Sequence, residues 1–237
     1  MTERTAAFAP KRTARFTAVL SLLTLLTGVF AQFFVSDRLI IPGDATATAT
    51  HIAQSRGLYQ WGFTIYMVEM ALQVAATVLF YMLLRPVHRS LALVAMCLGL
   101  VGCGIKTLGR VFYLTPLFVL HGAHSHGAFT PDQLQALSLL FLQINDHAAG
   151  MALGFFGLDA LLRGYLIFRS TFLPRALGVM TLITGAGLTT FLSPTLGYRL
   201  FPIIALAGLL ASAATITWLL AFGVDEQRWW ERARAGT

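Results

Sequence analysis

Seven ionisable side chains sit inside long apolar runs: Glu69, Lys106, Arg110, Asp146, His147, Asp159 and Arg163. An ionised group in bilayer hydrocarbon costs about 2.5–3.5 kcal/mol on insertion scales, so each must face a partner, a cavity or a bound molecule. Three roles are open to them. Lys106 and Arg110 could hold the anionic group of a small amphiphile while Glu69 and His147 tune its protonation. Glu69 or His147 could instead serve as catalytic acid/base on a lipidic substrate, with the two cations stabilising developing negative charge. Or Glu69–Lys106 and Asp146–Arg110 could neutralise each other and only fix helix register, as in an accessory or structural subunit. Asp159 and Arg163 are four apart, the spacing of an ion pair along one helix. Arg163 is expected to snorkel to the membrane boundary with Asp159 satisfying it.

The surroundings of these groups set the class of protein. Of 237 residues, 57% are hydrophobic and only 11% charged, against roughly 25% charged in soluble domains. The mean hydropathy is +0.71. This composition belongs to a polytopic membrane protein whose main partner is the lipid bilayer. The net charge of +7 does not signal nucleic acid, because the bases are scattered at the ends of apolar runs and form no patch. Cys97 and Cys103 lie in one run on different helix faces, so a disulfide between them is not expected.

Six apolar runs are long enough to span: Phe16–Val35, Trp61–Leu84, Leu91–Leu114, Leu139–Phe168, Leu173–Leu192 and Leu200–Phe222. A crossing needs about 20 residues, and only helices keep every backbone group bonded in lipid here. The expected fold is all-α, one transmembrane helical domain over residues 1–237. The first run is longer than a usual signal core and is read as an uncleaved span. With the N-terminus inside, eleven Lys and Arg fall in inner segments; only Arg38, Arg56 and Arg199 fall outside. That bias predicts cytoplasmic termini. Two outer loops are long. In the first, Asp44 should cap a short helix Ala45–Arg56 that Gly57 stops. In the second, Thr130-Pro131-Asp132-Gln133 reads as a capping box. The helix it opens either continues into the fourth span or bends near Asn145.

At 100° per residue, the polar positions fall on stripes. Gly62, Tyr66, Glu69, Gln73 and Thr77 share a face. So do Gly99, Gly102, Cys103, Lys106, Gly109, Arg110 and Tyr113, and, in the first span, Thr17, Ser21, Thr24, Gly28 and Gln32. In the fourth span Asp146 lies near a stripe of Gly150, Gly154, Gly157 and Gly164. Small residues at this spacing mark helix contacts, which turns the charges inward. Glu69, Lys106, Asp146 and His147 all fall ~10–12 Å below the outer surface at 1.5 Å per residue. Tyr66, Glu69, Gln73, Lys106, Arg110, Asp146 and His147 therefore define a candidate ligand-binding layer open to the outside. The Gly-rich faces could also carry a homodimer.

Metal chemistry has less support. His121, His124 and His126 with His147, Asp146 and Glu69 match no ligand spacing, and solvated loop histidines explain them better. HExxH, CxxC, a phosphate-binding Gly loop and a GxSxG elbow are all absent. No cofactor is indicated. His51 and His88 show no evident partner.

Three segments resemble an uncharacterised bacterial family of multi-pass membrane proteins, known only as a domain of unknown function, number four-three-eight-six. They are Phe30-Ala31-Gln32-Phe33 leading to Leu39-Ile40-Ile41-Pro42-Gly43-Asp44-Ala45; Leu83-Leu84-Arg85-Pro86-Val87; and Gly164-Tyr165-Leu166-Ile167-Phe168-Arg169-Ser170 followed by Phe172-Leu173-Pro174-Arg175-Ala176-Leu177-Gly178. The likeness covers nearly the whole chain, and the third segment is the most specific. The resemblance implies a helical bundle in the bacterial inner membrane. It implies no activity.

Overall fold

The structure is a computed structural model that describes residues 9–122 and 129–235. Among the described residues it is all-α, with no strand. In chain order the helices are α1 (Pro10–Phe30), continued by a π-helical stretch Ala31–Ser36 and a last turn α2 (Asp37–Leu39); α3 (Ala45–Gln54); α4 (Arg56–Leu84); α5 (Arg89–Gly122); α6 (Pro131–Arg169); α7 (Arg175–Thr189), ending in a 3₁₀ turn Thr190–Leu192; α8 (Pro194–Ala221); and α9 (Glu226–Ala235). Six described segments are long and apolar enough to cross a membrane: Pro10–Leu39, α4, Arg89–Leu120, α6, Arg175–Leu192 and α8. Large apolar side chains line their outer faces, among them Leu108, Phe118, Ile203 and Leu206. That is the surface a lipid-facing helix requires.

Helix ends follow local chemistry more than hydropathy, and several expected boundaries move. The fourth span starts at Pro131 rather than Leu139. Thr130 N–H donates to Gln133 Oε1 at 2.9 Å and Gln133 N–H to Thr130 Oγ1 at 3.3 Å, a reciprocal capping box. α6 runs unbroken past Asn145. The third span continues beyond Leu114 through Pro116 to Gly122, since an internal proline removes one bond without ending a well-packed helix. Asp44 caps α3 by accepting from Ala47 N–H at 2.8 Å. Yet α3 stops at Gln54, and Gly57 lies inside α4 instead of ending α3. The break is at Ser55, with φ −118° and ψ 38°. His88, which had no evident partner, accepts from Leu91 N–H at 3.2 Å at the start of α5. Cys97 and Cys103 are thiols and form no disulfide.

The chain divides into two compact units. The first comprises residues up to 22, 72–102 and 153 onward. Its core gathers Leu83, Leu84, Leu166, Ile167, Phe172, Leu219 and Trp229. Trp229 of α9 is fully buried, and its indole N–H donates to the Leu83 carbonyl at 2.9 Å. Within this unit α6 and α7 touch backbone to backbone. A Cβ on Gly178 would lie 2.5 Å from Phe168 N and 2.8 Å from Gly164 O. Small residues permit that approach.

The second unit comprises 23–71 and 103–152. Its core is aromatic: Tyr59, Tyr66 and Tyr113 pack with Ala31, Val35, Leu39, Ile52, Leu117 and Leu142. α3 contributes Ile52 to it. Thr48 ties α3 back, donating to Ile41 O at 3.2 Å and accepting from Ile41 N–H at 3.0 Å.

Candidate functional site: an ionic and tyrosine layer

All the close contacts of the site fall within the second unit. Lys106 on α5 reaches Glu69 on α4, with Nζ and Oε1 2.7 Å apart. The Glu69 side chain is 8% exposed and that of Lys106 20%. The carboxylate lies against α1 at Gly28, where an added Cβ would sit 2.9 Å from Oε1. The second carboxylate oxygen, Oε2, is buried and takes no hydrogen bond among the described residues.

Arg110 is one helical turn further along α5 and is also buried. Its guanidinium lies over the Tyr66 ring, 3.4 Å from the centroid. A desolvated cation over an aromatic face is worth about 2 kcal/mol. Nη1 donates to Asn145 Oδ1 at 3.2 Å, while Nε, equally buried, has no acceptor among the described residues. The expected Arg110–Asp146 pair is thus relayed: Asn145 Nδ2 donates onward to Asp146 Oδ1 at 3.0 Å. Asn145 is buried, while Asp146, 100° further round α6, is exposed. Asp146 still lies within electrostatic reach of Arg110, His147 and Asp37.

The tyrosines join α4, α5 and the end of the first span. Tyr59 and Tyr113 stack at 4.5 Å, and Tyr66 meets Tyr113 edge-on at 5.5 Å. Tyr59 O–H donates to the Tyr113 carbonyl. Tyr66 O–H donates to Gln32 Oε1 at 3.1 Å and shares a 2.9 Å hydrogen bond with Ser36 Oγ. Gln32 Nε2 in turn donates to Asp37 Oδ1 at 2.8 Å. Gln32 and Ser36 lie in the π-helical stretch, whose closing bond runs from Asp37 N–H to Gln32 O. Wider turns of this kind re-aim side chains and are common at functional sites. Gly62 makes the junction narrow; a Cβ there would lie 2.6 Å from Val35 Cγ1 and 3.1 Å from the Tyr113 hydroxyl.

The layer therefore brings together Tyr66, Glu69, Lys106 and Arg110, with Asp146 at its edge through Asn145. His147 is exposed, and its Nδ1–H donates to the Gln143 carbonyl one turn back on its own helix at 2.8 Å. Gln73 belongs to the other unit. Asn145, Ser36, Tyr59 and Asp37 join the layer in addition to the expected residues. Two of these carry a readable signal: Tyr59 is seven residues before Tyr66, and Ser36 four after Gln32, each just beyond the span boundary that hydropathy sets.

The other charged pair lies in the first unit. Arg163 Nη2 and Asp159 Oδ2 are 3.0 Å apart along α6, close but off the geometry of a directed hydrogen bond. Asp159 is buried, and the Arg163 guanidinium stacks on Phe80 at 4.8 Å. No group of three metal-ligating side chains occurs among the described residues. His124 and His126, and the side chain of His121, lie outside them.

Six apolar helices and an ionic layer held between helices define a multi-pass helical membrane protein. The chain belongs to the family described as "Domain of unknown function (DUF4386)", whose model matches residues 16–223. No curated protein and no solved structure matches significantly. The glycines of the most specific sequence segment, Gly164 and Gly178, form one of the close approaches between α6 and α7, with Gly157 and Gly185 forming another.

Proposed function

We propose that this is a bacterial inner-membrane protein with cytoplasmic termini, and that its ionic layer binds a small amphiphilic or anionic molecule from the periplasmic side. The orientation rests on the Lys and Arg asymmetry of the connecting segments. The observation that carries the binding reading is incomplete pairing. Glu69 Oε2 and Arg110 Nε are both buried without a partner among the described residues, beside a lysine that keeps a fifth of its side chain exposed. A buried polar group left unsatisfied costs about 1–3 kcal/mol, so two in one layer are a reserve that a ligand could release. In this reading Lys106 and Arg110 hold the anionic group. Tyr66 holds the Arg110 guanidinium in place against its ring face, and Glu69 supplies a hydrogen-bond acceptor. Asp146 and His147 line the approach.

A second reading is favoured by the closed Glu69–Lys106 contact itself: the pair fixes helix register and binds nothing. The two separate in one experiment. Native mass spectrometry of the purified wild type is compared with Lys106→Ala and with the neutral pair Glu69→Gln/Lys106→Gln. Binding predicts a small-molecule adduct in the wild type that both variants lose. No adduct on any of the three proteins would leave only the register role. Neutral replacement of a buried ion pair is often tolerated, so the double variant should still fold.

A further inference from the structure

A second candidate site lies in the first unit, far in sequence from the ionic layer. An open hollow of about 620 Å³ is lined by Lys11, Trp218, Phe222, Asp225, Glu226 and Arg228, among others. Its size falls in the range of small-molecule sites. It forms where α1 begins, where α6 gives way to α7, and where α8 gives way to α9. With these helices crossing the bilayer, the hollow sits at the level where hydrocarbon meets headgroups.

The walls are built rather than accidental. The turn after α8 is bonded to both other walls: Asp225 N–H donates to Phe172 O at 3.3 Å, Arg228 Nη1 to Thr171 O at 3.2 Å, and Lys11 N–H to Glu226 Oε1 at 3.2 Å. Gly223 makes this turn with φ +72°, a conformation that favours glycine. Its missing side chain also admits the stem of Lys11, whose Cγ would lie 2.9 Å from a Cβ there. The Lys11 stem is thereby seated at the hollow while the residue stays exposed. Trp218 and Phe222 pack at 4.5 Å and give the hollow an apolar side.

The charges select the occupant. Arg228 and Asp225 pair with each other, Nε to Oδ2 at 3.3 Å, which leaves one cation, Lys11, and one anion, Glu226, to meet a ligand. A purely anionic headgroup would leave the Glu226 carboxylate facing a like charge. A zwitterionic one meets a partner for each of its ends. We propose that this hollow seats the headgroup of a phosphoethanolamine phospholipid. Lys11 faces the phosphate, Glu226 faces the primary ammonium, and Trp218 and Phe222 lie along the glycerol and the first chain carbons.

The test is native mass spectrometry of the full chain, titrated separately with phosphatidylethanolamine, phosphatidylcholine and phosphatidylglycerol of matched chains. The wild type should retain the phosphatidylethanolamine in preference to the other two. Lys11→Gln should weaken its retention about fivefold, the scale of one basic residue acting on a headgroup. Glu226→Gln keeps an oxygen for the Lys11 N–H and removes the charge; it should erase the preference over phosphatidylglycerol. Both residues are exposed, so both variants should fold. Lys106→Ala should leave the preference intact, which separates this site from the ionic layer. Equal retention of all three lipids by the wild type, or unchanged retention in Lys11→Gln, would overturn the proposal.

Discussion

Glu69 and Lys106 meet across two helices, whereas Asp159 and Arg163 meet along one. The distances are similar, 2.7 and 3.0 Å. The consequences differ because of what a membrane protein unfolds to. Helices in lipid survive the loss of their neighbours, since nothing else can bond their backbones. A pair four residues apart on α6 can therefore form before α6 touches anything. The Glu69–Lys106 pair exists only once α4 and α5 have associated. The first unit can thus rely on close backbone packing, with its buried charges paired along a single helix. The second is joined by contacts between long polar side chains on different helices.

The largest test of that contrast uses two glycines. In the first unit, a methyl at Gly178 would strike the backbone of α6 at 2.5 Å, and backbone cannot move aside. In the second, a methyl at Gly28 would meet only the end of the Glu69 side chain at 2.9 Å. Gly178→Ala should cost about 2–3 kcal/mol through overpacking. Gly28→Ala should stay within about 0.5 kcal/mol, because the helix gains what Glu69 loses by shifting. Thermal unfolding of both variants in one detergent measures the difference. Equal costs would mean that the two units are held by the same kind of contact.

A smaller effect concerns the pairs themselves. Double-mutant cycles with Glu69→Gln and Lys106→Gln should give a coupling of about 1–2 kcal/mol, the range of strong polar contacts between membrane helices. The corresponding cycle with Asp159→Asn and Arg163→Gln should give a smaller coupling, because a pair along α6 persists in the helical denatured state and cancels. Unfolding in mixed micelles from a helical denatured state is the appropriate measurement. A larger coupling for the α6 pair would reverse the comparison.

Much of this contrast is legible in the amino-acid sequence, and the parts that are not have physical reasons. Hydropathy locates all six spans, because length and apolarity are properties of contiguous sequence. The facing of Glu69 and Lys106 is legible from the small residues on their stripes. Helix ends are less so: Thr130 and Gln133 start α6 by capping, a polar signal that hydropathy ignores. The inward residue of α6 differs from the expected one by a single position. Asn145 and Asp146 are adjacent, and formal charge alone points to the aspartate as the one that needs a partner. Burial favours the amide instead, because a neutral group is cheaper to desolvate. The π-helical stretch is not legible at all. It shifts the register by one residue, whereas helical stripes assume a constant 100° step.

Removal of one hydroxyl tests the tyrosine part of the layer. Tyr66→Phe loses the contacts to Ser36 and Gln32 and keeps the ring face under Arg110. It should cost about 1 kcal/mol. Tyr66→Leu removes the cation–π contact as well and should cost about 2 kcal/mol more. If the two variants are equally stable, Arg110 is not held by the ring, and the layer is organised by its hydrogen bonds alone.

The smallest effect on stability is expected at His147, and it bears on function. The side chain is exposed and bonded to its own helix. His147→Ala should change thermal stability by less than about 0.5 kcal/mol, as exposed substitutions usually do. If His147 lines the approach to Lys106 and Arg110, the same variant should still weaken any adduct that Lys106→Ala abolishes, and weaken it less. Buried groups cannot give so clean a readout, because their loss disturbs packing and binding together. An adduct that survives His147→Ala undiminished would confine the ligand to the buried part of the layer, beside Glu69 and Tyr66, and remove α6 from the route to it.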